Sequence, residues 1–230
     1  ELRMVNVLKK AIEIDYYRGV ELGLFFDRWS RLEVRQLVEQ NHLNLTIFAT
    51  PYLKDRKLNL NSPDSVLRKK SVEYALSLIP IAAEQNCTNL GFPSGDDPGE
   101  KKRREAKRCL ADSLDILAEC CRKYGMNLTL EPLDRYAFKK QLIGPMKESM
   151  EWFAPIYQRN PNAFIHWDSA HEALGGTNLM WSLEYAKPYI AQLHLCDAIT
   201  DPFHPCFGDL HMDVGMAPDY RTEGFLTPQL

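Results

Sequence analysis

The stretch Asn162-Ala-Phe-Ile-His-Trp-Asp-Ser-Ala-His171 is predicted to be a β-strand that ends in reactive side chains. Successive side chains on a strand point to opposite faces of its sheet. One face is apolar and consists of Ala163, Ile165 and Trp167. The other face is mixed and consists of Phe164, His166 and Asp168, with His171 just beyond the strand. The strand therefore has one face suited to packing and one suited to chemistry.

Four further segments repeat this division into an aliphatic face and a mixed face. They are residues 19–25, 44–50, 126–131 and 191–196. Helical patterns lie between the segments, and this order predicts a mostly parallel sheet. Strands of an ordinary parallel sheet are apolar on both faces, because helices cover both sides. A closed barrel explains the mixed faces better, since its aliphatic faces meet an outer layer of helices and its mixed faces point inward.

Composition favours one enzyme-sized domain over the residues 1–230, of which 45% are hydrophobic. The net charge of −3 comes from mixed acidic and basic residues, which argues against a nucleic-acid or anionic-membrane surface. Neither a transmembrane-length apolar run nor a signal-peptide pattern occurs in the sequence. Six cysteines lack metal-knuckle spacing, and Cys120 and Cys121 are adjacent on a predicted helix. We therefore expect reduced thiols in a cytoplasmic protein.

The number of predicted strands falls short of a complete barrel. With residues 88–92 the sequence has six candidate strands, whereas such a barrel has eight. The two absent strands would be the first and the last, which are neighbours in a closed barrel. The chain could be a portion of a longer protein, an open barrel, or a barrel that a partner completes.

Local signals predict several boundaries. Ser62-Pro63 is a suitable helix start, residues 52–61 are predicted to form a polar loop, and Pro155 is expected to kink or end a helix over 146–158. The chain from Asp197 onward is rich in loop residues, and no clear strand is predicted there.

Three polar residues are predicted to converge at one rim of the barrel. Glu131, Asp168 and His194 lie near the carboxyl ends of three successive strands, where such barrels build active sites. Each alone could be an ordinary polar residue at a strand end. Together, on matching faces and at matching ends, two carboxylates and an imidazole predict a site for one divalent ion, namely Mn²⁺, Co²⁺, Mg²⁺ or Zn²⁺.

Three motifs resemble a known family. Leu128-Thr-Leu-Glu-Pro-Leu-Asp134, Trp167-Asp-Ser-Ala-His171 and Gln192-Leu-His-Leu-Cys-Asp-Ala198 are similar to segments of the xylose-isomerase-like TIM barrels, the sugar phosphate isomerase/epimerase superfamily. The resemblance implies a (β/α)8 TIM barrel, here apparently without its first and last strands. It also implies that Glu131, Asp168 and His194 are metal ligands, that Glu131 is an acid/base, and that His171 contacts a substrate hydroxyl.

The resemblance leaves one ligand unassigned. The family's fourth metal ligand is a glutamate on the last strand, which also acts as the second acid/base, and no such strand is predicted here. The candidates to replace it are Glu223, Asp209, Asp213 and His211.

Further substrate-binding candidates flank the predicted metal site. His204 and His211 belong to the segment after His194, which is expected to lie over the pocket, and Glu21 is on the mixed face of the first predicted strand. His166 should point into the barrel one layer below Asp168, where an interior histidine with satisfied hydrogen bonds is the favoured interpretation and a ligand is the alternative.

The predicted reaction is metal-assisted proton abstraction next to a carbonyl of a small carbohydrate or polyol, giving an enediolate. Return of a proton to the same carbon on the other face, by a second carboxylate, gives an epimerase, and return to the next carbon gives an isomerase. Loss of a β-substituent gives a lyase of the inosose dehydratase or C-glycoside-cleaving type. A non-catalytic or partner-completed barrel subunit, including a homo-oligomer, is a further alternative. A DNA-repair nuclease of the endonuclease IV type is disfavoured, because six histidines and a net charge of −3 do not suit three zinc ions and a basic face.

Overall fold

The computed structural model describes residues 1–214, in which helices and strands alternate along the chain. The first half contains α1 (Leu2–Ile14), β1 (Gly19–Leu22), α2 (Arg28–Gln40), β2 (Asn44–Phe48), α3 (Thr50–Asp55), α4 (Ser65–Glu84) and β3 (Asn89–Pro93). The second half contains α5 (Glu100–Lys123), β4 (Asn127–Glu131), α6 (Met146–Arg159), β5 (Ala163–Asp168), α7 (Ser169–Leu174), α8 (Leu179–Ala186), a 3₁₀ turn (Lys187–Tyr189), β6 (Ile190–His194), β7 (Asp197–Ile199) and β8 (Gly208–Met212).

Six strands form the main sheet in the order β1-β2-β3-β4-β5-β6, and every pair is parallel. Each strand lies beside the next one in the chain, so the sheet curls into a half-barrel with helices on its outside. The register aligns the carboxyl ends, with Pro93 opposite Glu131 and Asp168 opposite His194. The prediction of six parallel strands in a TIM-barrel arrangement is confirmed.

The outward faces of the central strands form the core with the surrounding helices. Ile47, Leu90, Leu128 and Ile165 are fully buried in one hydrophobic cluster. The inward faces carry buried polar side chains instead: Thr46, Thr129, His166 and Asp168. This division follows from the alternation of side chains along each strand. It leaves the polar groups inside the half-barrel.

The two edges of the main sheet are less protected than its centre. Within residues 1–214, β1 pairs in this sheet with β2 alone and β6 with β5 alone. On the outward face of β6, Leu193 is 45% exposed, and Leu195, just after the strand, is 66% exposed. A side-chain contact nevertheless connects β1 to β6 across the interior: Gln192 Nε2 donates a 3.0 Å hydrogen bond to Glu21 Oε2. The half-barrel is therefore open between β1 and β6 at the level of the backbone.

The prediction of no clear strand after Asp197 is wrong. Strands β7 and β8 form an antiparallel pair, and the prolines Pro202 and Pro205 lie in their connection. The pair packs beside α7, where Ala198 and Cys196 join a small buried cluster with Ala170. Two strands of three and five residues are too short to show a reliable alternation in sequence.

Three helix boundaries also differ from expectation. Helix α3 begins at Thr50 and overlaps the start of the loop predicted over residues 52–61. Helix α4 starts at Ser65, because the carboxylate of Asp64, and not Ser62, accepts the Val66 N–H. Helix α6 continues through Pro155 to Arg159, so Pro155 does not end it, since its buried face outweighs the lost hydrogen bond; a kink at Pro155 stays a prediction. No helix in the described part of the chain combines the length and the apolar character that a membrane span requires.

Candidate active site

A cluster of possible ligands lies at the carboxyl ends of β4, β5 and β6. Ligand atoms of four side chains, Glu131, His166, Asp168 and His194, all lie within 4.8 Å of one another. The structure thus brings together the three residues that the sequence singled out as ligands. It adds His166, which shares a strand face with Asp168.

Asp168 is fixed by the helix that follows it. Its Oδ1 accepts the backbone N–H groups of Ala170 (2.7 Å) and His171 (3.2 Å), which caps the start of α7. Its Oδ2 lies 3.3 Å from Nδ1 of His194. Burial opposes ionisation of this carboxyl, but the contact with His194 and the charge of His171 lower the pKa of Asp168 overall.

His194 is oriented by Glu21 across the opening of the half-barrel. Its Nε2 lies 2.8 Å from Glu21 Oε2, whereas its buried Nδ1 lies 3.3 Å from Asp168 Oδ2 in an ion-pair contact. Burial favours the neutral ring, but the carboxylates of Asp168, Glu21 and Glu131 raise the pKa of His194 to about 10. The nitrogen that faces the cluster is therefore Nδ1. The role of Glu21 in substrate binding stays a prediction.

His166 is the residue that differs most from expectation. Its side chain is 0% exposed, and neither ring nitrogen has a hydrogen-bond partner in the described part of the chain. The expectation of a satisfied interior histidine is wrong, because its ring faces Phe48 and His194 at centroid distances of 4.9 and 3.9 Å. Burial and the neighbouring His194 lower the pKa of His166 to about 3, so the ring is neutral. Strand alternation predicts that the side chain of His166 points inward, but no sequence signal predicts that its ring nitrogens lack hydrogen-bond partners.

Glu131 has the environment of a proton-transfer group. Burial raises its pKa to about 7, an effect that His171 and His194 partly offset and Asp168 reinforces. A carboxyl that titrates near neutral pH can both accept and donate a proton.

His171 is held between two carboxylates. Its Nδ1 lies 3.3 Å from Asp134 Oδ2, and its Nε2 lies 3.5 Å from Asp209 Oδ2. Asp134 is itself fixed by the backbone N–H of Lys139 at 2.9 Å. Burial opposes protonation of His171, but Asp134, Asp168 and the other carboxylates raise its pKa. The structure therefore places His171 beside the ligand cluster, between two carboxylates that favour the protonated form of its ring.

Of the two histidines after His194, His211 contacts a member of the ligand cluster, whereas the contact found for His204 is within the connection between β7 and β8. His211 Nδ1 lies 2.9 Å from Asp209 Oδ1, and its Nε2 lies 3.9 Å from Asp168 Oδ2. His211 also forms a second group of possible ligands with Asp168 and Cys196. His204 lies in the connection between β7 and β8, where its Nδ1 accepts the Cys206 N–H.

The other candidates for the fourth ligand differ in burial and in their distance from the histidines beside the cluster. Asp209 is buried against His171 and His211, and Asp213 is exposed. Glu223 lies outside the described residues.

Solved structures of sugar epimerases have a similar fold. A D-tagatose 3-epimerase-like protein superposes with a TM-score of 0.71 at 19% identity, covering 90% of this chain and 75% of that one. D-psicose 3-epimerase from Clostridium cellulolyticum H10 gives a TM-score of 0.68 at 18% identity, covering 83% of this chain. This chain spans 66% of the length of that enzyme.

A third similar structure carries a different description. It is an AP endonuclease, family 2, from Brucella melitensis, with a TM-score of 0.66 at 18% identity, covering 90% of this chain and 78% of that one. Identities this low establish the fold and leave the reaction open. No curated protein sequence matches the chain significantly.

The family comparison covers nearly the whole chain. The family described as xylose isomerase-like TIM barrel matches residues 8–222, which include every strand of the half-barrel and the ligand cluster. This chain therefore belongs to the xylose isomerase-like TIM barrel family.

Proposed function

We propose that this chain is a metal-dependent epimerase or isomerase that acts on a sugar or polyol by abstracting a proton next to a carbonyl. The observation that carries the proposal is the position of Glu131. Its side chain is only 15% exposed, has a pKa raised to about 7, and lies in a cluster of ligand atoms within 4.8 Å. Such a group can move a proton at neutral pH, and the cluster suits an ion that would stabilise the resulting charge.

The side chains of the cluster fit a divalent ion. Glu131, Asp168 and His194 would hold it, and Nδ1 of His194 already faces Asp168 Oδ2 at 3.3 Å. Two carboxylates with imidazole nitrogen suit Mn²⁺, Co²⁺, Mg²⁺ or Zn²⁺. When bound, the ion supplies a Lewis acid for a substrate carbonyl and its neighbouring hydroxyl.

The proton-transfer roles follow from the environments of the side chains. Glu131 takes the proton from the carbon next to the carbonyl. His171, whose pKa the neighbouring Asp134 and Asp209 raise, donates a hydrogen bond to a substrate hydroxyl. We assign His204, His211 and Glu21 to the walls of the substrate pocket.

The fate of the abstracted proton determines the reaction class. Delivery of a proton to the same carbon by a second acid on the opposite face is epimerisation, and delivery of a proton to the next carbon is isomerisation. The lyase alternative shares the first step with both. Epimerisation of a free ketose is the favoured outcome, because the names of the two epimerase structures above describe 3-epimerases of this kind.

Exchange of substrate hydrogen with solvent tests the proposal directly. The metal-loaded chain is incubated in D₂O with D-psicose, D-tagatose and D-fructose, and deuterium at the carbon beside the carbonyl is measured by NMR. We expect exchange that Glu131→Gln abolishes. Glu172→Gln is the matched control, because burial raises the pKa of Glu172 to about 7 as well. The Oε2 atom of Glu172 accepts a hydrogen bond from Ser182 Oγ, and Glu172 is not part of the ligand cluster. Absence of exchange with every sugar, or full exchange in Glu131→Gln, would contradict the proposal.

A further inference from the structure

We propose that His166 is a further metal ligand, so that the site consists of two carboxylates and two imidazoles. The inference rests on the proposed function only in requiring that a divalent ion binds the cluster. It assigns the fourth ligand to β5, within the half-barrel, and does not require a glutamate from another strand.

The first argument is that the polar atoms of His166 have nothing else to bind. Both ring nitrogens are buried without a hydrogen-bond partner among residues 1–214, and the side chain is 0% exposed. A buried polar group without a partner loses its hydrogen bonds to water without compensation, and such groups are rare in native proteins. A metal ion would satisfy one of the two nitrogens, and this benefit explains why a histidine is tolerated here.

The second argument is the distance between ligand atoms. His166 Nε2 lies 3.9 Å from Glu131 Oε1, which is too long for a hydrogen bond. Two ligand atoms that share a tetrahedral ion at about 2.0–2.1 Å lie about 3.3 Å apart. The observed separation therefore requires a shift of less than about 1 Å to place both atoms on one ion.

The third argument is the direction set by the strand. His166 and Asp168 are two residues apart on β5, so they share its inward face. The fully buried Asp168 is fixed by its cap on α7. Packing of His166 against Phe48 likewise limits the freedom of its ring. Two of the four ligands therefore lie on one strand that pairs on both sides, away from the open edge of the sheet.

The donor set has a consequence for metal choice. A second imidazole makes the site more favourable for Zn²⁺ or Co²⁺ than for Mg²⁺, which prefers carboxylate, carbonyl and water ligands. We therefore expect the affinity to fall in the order Zn²⁺, Co²⁺, Mn²⁺, Mg²⁺.

The test is a direct count of the histidine rings that bind the ion. The chain is labelled with ¹⁵N-histidine and loaded with ¹¹³Cd²⁺, and scalar coupling between ¹¹³Cd and ring nitrogens is recorded. We expect coupling to at least two rings, one of which disappears in His166→Gln. The matched control is Thr129→Val, because Thr129 Oγ1 is also buried inside the half-barrel without a partner. That variant should keep every coupling and bind Zn²⁺ within about threefold of the parent, whereas His166→Gln should lose about 100-fold.

Each outcome separates this inference from the proposed function. Bound cadmium that couples to one ring in the parent chain, or an unchanged coupling pattern in His166→Gln, overturns the role of His166 alone. Failure of the parent chain to bind any ion overturns both proposals. If His166→Gln does not fold, the remaining coupled rings are identified in His194→Gln. Persistence of a coupled ring that is assigned to residue 166 supports the inference, and its absence contradicts it.

Discussion

Strands β5 and β6 lie side by side and supply ligands to the same cluster, but the protein holds them differently. On β5, Ile165, Trp167 and Asp168 are all buried, and the strand pairs on both sides. On β6, Leu193 is 45% exposed, and in the described residues this strand pairs with β5 alone. One side of the site therefore belongs to the core and the other to an edge.

The difference shows two ways of fixing a ligand. Asp168 is positioned by burial and by the backbone N–H groups of α7. His194 lacks such cover and is positioned by carboxylates on either side, Asp168 at Nδ1 and Glu21 at Nε2. The edge ligand thus depends on electrostatic partners where the core ligand depends on packing.

Substitutions on the outward faces should expose this contrast most strongly. Ile165→Ala removes a fully buried side chain and should lower the free energy of unfolding by about 3 kcal/mol, because it leaves a cavity. Leu193→Ala removes a side chain that is already half in water and should cost less than about 1 kcal/mol. Urea unfolding followed by circular dichroism measures both. An equal cost would mean that the outward face of β6 is covered in solution, for example by a second copy of the chain.

Sequence patterns predicted the properties that depend on one strand at a time. Alternation along β5 places Ile165 and Trp167 outward and His166 and Asp168 inward, as observed. The order of strands and helices likewise predicts the parallel half-barrel. These features follow from local backbone geometry, and sequence carries that information directly.

Features that depend on distant segments could not be predicted. The contact of His194 with Glu21 joins residues 173 positions apart, across the open side of the half-barrel. The lack of partners for His166 depends on the positions of Phe48 and His194, which come from two other strands. Sequence therefore indicated the candidate ligands, but the network that orients them emerged only in three dimensions.

The pH dependence of metal affinity tests whether carboxylates position the edge ligand His194. Glu131 has a pKa raised to about 7, chiefly by burial, and His194 has one raised to about 10 by its carboxylate partners. Metal and protons compete for these groups, so affinity should fall as the pH falls. We expect a change of about tenfold per pH unit above pH 7, where only His194 loses a proton on binding. The slope should steepen below pH 7, where Glu131 also loses one.

Competition titrations with a chelator between pH 6 and 8.5 measure both slopes. Glu131→Gln should remove the steeper part of the profile and leave the shallower one. A profile that is flat over the whole range would show that these two groups do not bind the ion.

The smallest expected effect comes from the partner of the edge ligand. Glu21→Ala removes the acceptor for Nε2 of His194 and should weaken Zn²⁺ binding by about tenfold, because the imidazole is no longer oriented toward the cluster. Glu21→Gln keeps an acceptor oxygen and should recover most of that loss. Isothermal titration of both variants separates orientation from charge. Equal losses would assign the effect to the charge of Glu21, and binding of Glu21→Ala within twofold of the parent would show that Asp168 alone orients His194. In that case β6 would hold its ligand as β5 does, through contacts on the closed side of the half-barrel.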